Sequence, residues 1–373
     1  MRPTGIDFGV LGPLRMAVDD QVVSLGAPKQ RAVFAMLLLN RGRPVSVDAL
    51  IEAVWEQSPA AAARTALHSY ISNLRKILAE SGLPRETLAA APPGYRLDVP
   101  EDATDLGRFE KEKVAGVRAA ADGRFSPAAT HLSAALAQWR GPVLGDLSDF
   151  AFVGAVAAAL VDDRIAVETA RAEAEIACGQ ASLVIGPLES LVSEHPYREP
   201  LWAQLITAYY SCGRQADALD AYQRVKSILA DDLGIDPGAA INALQQRILR
   251  QEPLDVRGTA QATAVHTIGR LRSGTTLSNP SKAGLRDATG RWFALRAMAT
   301  RIGRLADNDI VLDAADVSRH HAVIVDAGTG PVMVDLRSAN GVYVQGTRIE
   351  ANTNLFDGDR IRIGGHEFVV ELG

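Results

Sequence analysis

Residues 301–325, "RIGRLADNDIVLDAADVSRHHAVIV", gather guanidiniums, a hydroxyl and paired imidazoles between two short apolar runs. Several chemistries use such residues. A metal centre would need His320 and His321 to converge, yet neighbours on a strand point to opposite faces, and no Cys or acidic cluster completes a ligand set. A hydrolase would need Ser318 on a G-x-S-x-G elbow, and there is none. Nor is there a G-x-x-x-x-G-K-[ST] loop for a nucleotide. Capture of a phosphate suits the residues better. Arg304, Ser318 and Arg319, with Ser338 and Asn340 of the later "RSANG" run (337–341), offer guanidinium, hydroxyl, amide and backbone N–H donors. Charge-assisted hydrogen bonds of this kind contribute on the order of 1.5–3 kcal/mol each.

A second concentration lies in "AAARTALHSYISNLRKILAESG", which ends at Gly82. At the helical period Leu67, Ile71, Leu74 and Leu78 form one apolar stripe. The opposite face carries Thr65, Ser69, Ser72 and Lys76, with His68 and Asn73 at its edges and Arg64 and Arg75 flanking. Short hydroxyls, an amide and basic groups can approach base edges and phosphates in a major groove. The same composition would also suit a merely solvated face. Its surroundings favour DNA: strands come before it, and a hairpin bearing Arg96 follows, where a wing would reach the adjacent groove.

The elements that must position these residues fall into three blocks. Residues 6–27 alternate as short strands, with "DDQ" as a turn. "PKQRAVFAMLLLNRG" then reads as a helix opened by Pro28 and closed near Gly42, and "SVDALIEAVW" as a second helix capped by Ser46. The helix with the Leu67–Leu78 stripe is the third, and "TLAAAPPGYRLDVP" makes two strands about Pro92, Pro93 and Gly94. This is a winged helix-turn-helix pattern. Residues 104 to about 252 are helical throughout. Trp202, Leu205, Tyr209, Ala218 and Tyr222 keep a tetratricopeptide spacing, and one 34-residue period earlier Ala172 and Leu188 take packing positions. Residues 256–282, rich in Gly, Ser, Thr and Ala without a sustained helical period, read as a linker. From "RWFAL" onward, short β runs split by Gly, Asn and Asp predict an antiparallel sandwich. The expected fold class is therefore multidomain α+β: a winged helix-turn-helix, an all-α tetratricopeptide-like domain and an all-β sandwich.

Composition narrows the function classes. Hydropathy averages +0.02 with 22% charged residues, and no run approaches the length of a membrane span, so a soluble protein is expected. "MRPTGIDFGV" lacks a signal-peptide core, which predicts the cytoplasm. Net charge is −5, but residues 101–255 carry −9 while 1–100 and 256–373 each carry +2, so a polyanion would meet the ends of the chain. Cys178 and Cys212 are expected to be buried helix thiols.

These motifs carry resemblances. Residues 6–100 resemble the OmpR/PhoB-type DNA-binding domain, with "LHSYISNLRKIL" as recognition helix and "PPGYRL" as wing. With the helical block, they are similar to the N-terminal half of actinobacterial SARP regulators, in which that block is the bacterial transcriptional activator domain. The order "GR…SRHH…NG" resembles a forkhead-associated (FHA) domain. That resemblance implies phosphothreonine contacts at Arg304, Ser318, Arg319 and Asn340, and a bracing role for His321. Ala339 departs from the pattern, since many members carry Ser or Thr there; Ser338 is the residue expected to compensate. Boundaries follow at 1–101, 102–255, a linker at 256–282, and 283–373. The whole order resembles SARP-family mycobacterial regulators that activate arabinosyltransferase genes of cell-wall synthesis downstream of a Ser/Thr kinase. It implies an activator without enzymatic activity, cofactor or metal. The implied partners are double-stranded promoter DNA, a threonine-phosphorylated Ser/Thr protein kinase and RNA polymerase, with a homodimer as a further expectation and no membrane. The alternative is a phosphopeptide-binding scaffold whose winged helix makes protein contacts only.

Overall fold

The alternating N-terminal residues form an antiparallel sheet of β1 (Ile6–Gly9), β2 (Arg15–Val18) and β3 (Gln21–Val22). In this computed structural model the described residues are 5–55, 60–233, 236–275, 283–295, 299–305, 308–326, 331–336, 338–349 and 352–372. The chain divides into two units. One comprises Met1–Arg108, Gln138–Asp163 and Arg272–Gly373, the other Phe109–Ala137 and Arg164–Leu271.

In the first unit, α1 (Pro28–Leu39) opens on the fixed φ of Pro28. Strand β4 (Val45–Ser46) runs into α2 (Val47–Trp55), where the Ser46 hydroxyl accepts the Ala49 amide at 3.0 Å, an N-cap. The third helix, α3 (Ala60–Glu80), ends where Gly82 adopts a positive φ and Leu83 donates back to the Leu78 carbonyl. Its stripe of Leu67, Ile71, Leu74 and Leu78 is buried to within about a percent. Beyond it β5 (Leu88–Ala91) and β6 (Gly94–Leu97) form the wing hairpin, with β4 paired to β6. Gly94 is required there, because a Cβ would run into the Val45 carbonyl. The unit also takes in residues beyond the strands and helices of the winged fold. The buried Asp105 carboxylate accepts the amides of Val10 and Leu11 and pairs with Arg140 at 3.1 Å.

The second unit is helical. It draws on α4 (Asp105–Ala121), α5 (Phe125–Leu136), α6 (Ala151–Ala177), α7 (Ala181–Glu194), α8 (Glu199–Ser211), α9 (Gln215–Ile228), α10 (Ala239–Leu249) and α11 (Val256–Thr275). The repeat residues Trp202, Leu205, Tyr209, Ala218, Tyr222, Ala172 and Leu188 are all buried. Glu189 locks two repeats together: Arg224 donates to both its oxygens at 3.0–3.1 Å and Tyr209 donates at 2.7 Å. Arg224's hydrogen bonding holds the Glu189 carboxyl below its usual range, and burial with that carboxylate pushes the Tyr209 hydroxyl up to about 12.

Three expectations are corrected here. The linker begins with α11, and only residues 276–282 fall outside the described residues. Asp255 caps that helix by accepting the Gly258 amide, and Ala260 and Ala264 are buried, so packing of small residues supplies what the weak periodicity did not show. Cys178 and Cys212 are exposed and free rather than buried, because each sits one residue past its helix, before Gly179 and Gly213. They occupy equivalent turns of successive repeats.

The C-terminal residues of the first unit make a sandwich. One sheet runs in the order β10 (Ile310–Val311), β9 (Ala299–Gly303), β11 (Ala322–Asp326), β12 (Pro331–Asp335) and β15 (Asn352–Asn354). The other runs β14 (Thr347–Arg348), β13 (Val342–Val344), β16 (Arg360–Ile363), β17 (His366–Leu372), β7 (Ala283–Asp287) and β8 (Trp292–Ala294). Leu285, Ile302, Ile324, Met333, Val342, Ile361, Phe368 and Val370 fill the space between them. The third correction is that β10 pairs with β9 in parallel, so the sandwich is not wholly antiparallel.

Candidate functional site

His320 and His321 were expected on a strand, but β11 begins only at Ala322 and both imidazoles belong to the loop before it. That loop is zipped to the one after β9. The Arg304 amide donates to the Ser318 carbonyl at 3.0 Å and the Leu305 amide to the Arg319 carbonyl at 3.2 Å. Asn308 closes the seam, its Nδ2 donating to the carbonyls of Leu305 and Arg319. Arg304 and Arg319 are thereby held side by side on the surface. Both are exposed, and neither guanidinium has a hydrogen-bonding or ion-pairing partner among the described residues.

A third loop joins them from the turn between β12 and β13. The Ala339 amide donates to the Ser318 hydroxyl at 3.2 Å, and Asn340 Nδ2 donates to the Asp316 carbonyl at 2.8 Å. Beneath them His321 is fully buried, accepting the Ser318 amide at Nδ1 (3.0 Å) with its Nε2 at 3.2 Å from the Gly341 carbonyl. Gly341 has a positive φ, and a Cβ there would meet the Arg348 side chain, so the "NG" turn needs its glycine. Arg304, Ser318, Arg319 and Asn340 thus reach one surface. Ser338 does not join them. Its amide donates to Asp335 and its hydroxyl is buried without a hydrogen-bond partner among the described residues, so it cannot compensate at the surface for Ala339. The described residues contain no cluster able to hold a metal.

On α3, Arg64, Thr65, His68, Ser69, Ser72, Asn73 and Lys76 are all exposed on the face opposite the buried stripe. Several are already engaged: Arg64 with Asp48 at 2.6 Å, Lys76 with Glu80 at 3.8 Å, and Asn73 with Gln30 at 3.3 Å. The Ser69 hydroxyl donates back to the Thr65 carbonyl, and on the wing Arg96 pairs with Asp98 at 2.7 Å. The ion pairs among these are solvated and contribute little. Sequence reasoning gave Arg75 only a flanking place. It donates to the Leu88 carbonyl at 2.8 Å and lies over the Tyr95 ring, fixing wing to helix. Asn308 and Asp316 were missed altogether, because a polar loop residue that braces another loop leaves no periodic signal.

Comparison with known proteins follows the same division. Residues 20–97 match the family described as "Transcriptional regulatory protein, C terminal", 104–249 the bacterial transcriptional activator domain, and 300–364 the FHA domain. The chain is 61% identical over 370 residues to the transcriptional regulatory protein EmbR of Mycobacterium tuberculosis, spanning 98% of this chain and 95% of the relative. It is 51% identical over 252 residues to MoaR1 of the same organism, spanning 67% of this chain and 81% of that one. A solved structure of M. tuberculosis EmbR in complex with a low-affinity phosphopeptide superposes with a TM-score of 0.89 at 60% identity, covering 100% of this chain and 99% of the other.

Proposed function

The chain belongs to the family of the EmbR transcriptional regulators, and from that premise we propose that its FHA loops read phosphothreonine while α3 and the wing read promoter DNA. It is a transcriptional regulator and not an enzyme. The observation that carries the phosphate reading is the pair of exposed guanidiniums of Arg304 and Arg319, without partners among the described residues, set beside the Ser318 hydroxyl on loops anchored from below by His321. A phosphothreonine brings close to two negative charges and three acceptor oxygens. Arg304 and Arg319 meet the charge, Ser318 donates to a phosphate oxygen, and Asn340 holds the peptide backbone. The ligand on this reading is a threonine-phosphorylated Ser/Thr protein kinase.

At the other end Thr65, His68, Ser69, Ser72 and Asn73 face base edges, while Arg64, Lys76 and Arg96 exchange their carboxylate partners for DNA phosphates. RNA polymerase and a second copy of the chain are the further partners proposed, and the cytoplasm the compartment. The domain order points to arabinosyltransferase genes of cell-wall synthesis as the regulated set. Footprinting on the chain's own genomic promoters, with calorimetry against one peptide in phosphorylated and unphosphorylated form, tests the two ends separately. Protection of a defined operator and selective binding of the phosphorylated form are expected. Equal binding of both peptides overturns the phosphate reading, and loss of footprint without loss of peptide binding overturns the DNA reading.

A further inference from the structure

We propose that His320 and Glu52 couple the phosphate-reading loops to the DNA-reading helix, so that each ligand strengthens binding of the other. The inference rests on the phosphothreonine reading above and adds its regulation. His320 directly follows Arg319, and its side chain is only 8% exposed. Its Nδ1 lies 3.1 Å from Asn308 Oδ1. Because Asn308 Nδ2 donates to Leu305 and Arg319, Oδ1 is the acceptor and His320 Nδ1 carries the hydrogen. The other ring nitrogen, Nε2, is 3.3 Å from Oε2 of Glu52 on α2. A carboxylate can only accept, so Nε2 must carry a hydrogen as well and the seated ring holds one on each nitrogen. The ring is therefore clamped by the turn that presents Ser318 and Arg319, and its other edge is seated on the helix-turn-helix.

From Glu52 the path continues within α2. Leu50 and Val54 are buried, and Trp55 stacks on Tyr70 at 5.7 Å, so α2 and α3 are packed as a pair. The two states are a seated one, with His320 against Glu52, and an unseated one. A phosphate held by Ser318 and Arg319 orders the turn that carries His320 and so favours the seated state. DNA binding needs α2 and α3 fixed, and pays less ordering entropy once α2 is seated. Because the coupling is a free energy, it must act equally in both directions.

The test uses the full chain, a promoter duplex chosen by footprinting, and a synthetic phosphothreonine peptide retained by the full chain from a degenerate library, with its unphosphorylated counterpart. Saturating phosphopeptide should tighten DNA binding by about fivefold or more, and saturating DNA should tighten the peptide by the same factor. Glu52→Met, which keeps the side-chain length at a half-exposed helix position and removes the carboxylate, should bind either ligand alone as the wild type does and bring the factor to unity. His320→Phe, which keeps a ring without either nitrogen, should also bring it to unity, and the double variant should add nothing. If the wild type binds both ligands without mutual effect, or if Glu52→Met retains the full factor, the coupling is wrong. If the wild type does not distinguish the two peptides, the phosphothreonine reading itself has failed, which is a different result.

Discussion

The Ser318 amide donates to Nδ1 of His321 across 3.0 Å, and the opposite edge of the same ring meets the Gly341 carbonyl at 3.2 Å. Since Nδ1 accepts, Nε2 carries the hydrogen and donates, so a single neutral imidazole satisfies both loops. The ring touches none of the surface on which Arg304 and Arg319 stand. Its work is to fix the Ser318 loop to the "NG" turn.

His321→Ala should therefore lower stability and phosphopeptide affinity together. The ring is fully buried with two hydrogen bonds, and its removal should cost about 2–4 kcal/mol. Thermal melting and calorimetry on the same sample check this. A variant with full stability and lost affinity would place His321 on the ligand instead.

Arg304→Ala and Arg319→Ala should instead weaken phosphopeptide capture while leaving the melting profile and DNA binding in place, and Ser318→Ala should weaken capture while also removing the acceptor of the Ala339 amide. Loss of one charge-assisted bond should cost on the order of 1.5–3 kcal/mol, roughly tenfold to a hundredfold in affinity. Asn340→Ala should lose affinity and also loosen the Asp316 turn that it braces at 2.8 Å. Calorimetry with the two peptide forms measures all four, and wild-type affinity in Arg304→Ala would defeat the assignment.

Ser338→Ala should leave phosphopeptide affinity unchanged and be neutral or slightly stabilising. The wild-type hydroxyl is buried without a partner among the described residues, and an unmade hydrogen bond of that kind costs about 1–3 kcal/mol. Ala339→Thr, in contrast, adds a hydroxyl at an exposed position beside Ser318 and should tighten the peptide. A drop in affinity for Ser338→Ala in titration would return that residue to the ligand surface.

What could be read in advance follows from which signals are periodic. Leu67, Ile71, Leu74 and Leu78 announce the core side of α3, and through it the opposite face, because a helix must bury one stripe. Trp202 to Tyr222 announce a repeat for the same reason. The anion-seeking residue types of the 301–325 segment were legible as types. Their convergence and the bracing by His321 came only with the FHA resemblance, and the parts played by Asn308 and Asp316 left no signal, since their bonds join loops distant in sequence. Ser338 and Asn340 look alike in "RSANG", yet one turns inward and the other out, a choice made by the Asp335 carboxylate holding the Ser338 amide. The helix at Val256–Thr275 hid because Ala and Gly make a faint stripe, and only its packing partners reveal it.

On α3 the exposed pairs give a graded expectation for DNA. Lys76→Ala should weaken binding to every sequence and reduce the salt dependence by about one phosphate contact. Ser69→Ala and Asn73→Ala should alter sequence preference by about 1–3 kcal/mol at the contacted pair. Asn73 must first release Gln30 at 3.3 Å, so its effect should be the smaller. Mobility shifts across a salt series decide, and three unchanged variants would remove α3 from the interface.

Glu173, on α6, gives the helical unit a pH dependence of defined sign. Burial pushes its carboxyl up to about 7, and Gln204 Nε2 donates to it at 3.0 Å. A carboxyl whose folded value lies above its unfolded value binds its proton more tightly in the native state. Stability is then highest below the unfolded value near 4.5, falls as pH rises from there through about 7, and levels off above. Its half-buried position leaves some screening, so the cost above pH 7 should be about 1–3 kcal/mol. Glu173→Gln resembles the protonated acid and still offers an oxygen to Gln204, so it should be more stable than the wild type at pH 8 and indistinguishable near pH 4.5. Because a multidomain chain does not unfold in one step, hydrogen-exchange protection of α6 and α8 is the measurement to use. Protection that rises with pH in the wild type, or a variant less protected at pH 8, would reverse the sign and place a compensating cation beside Glu173.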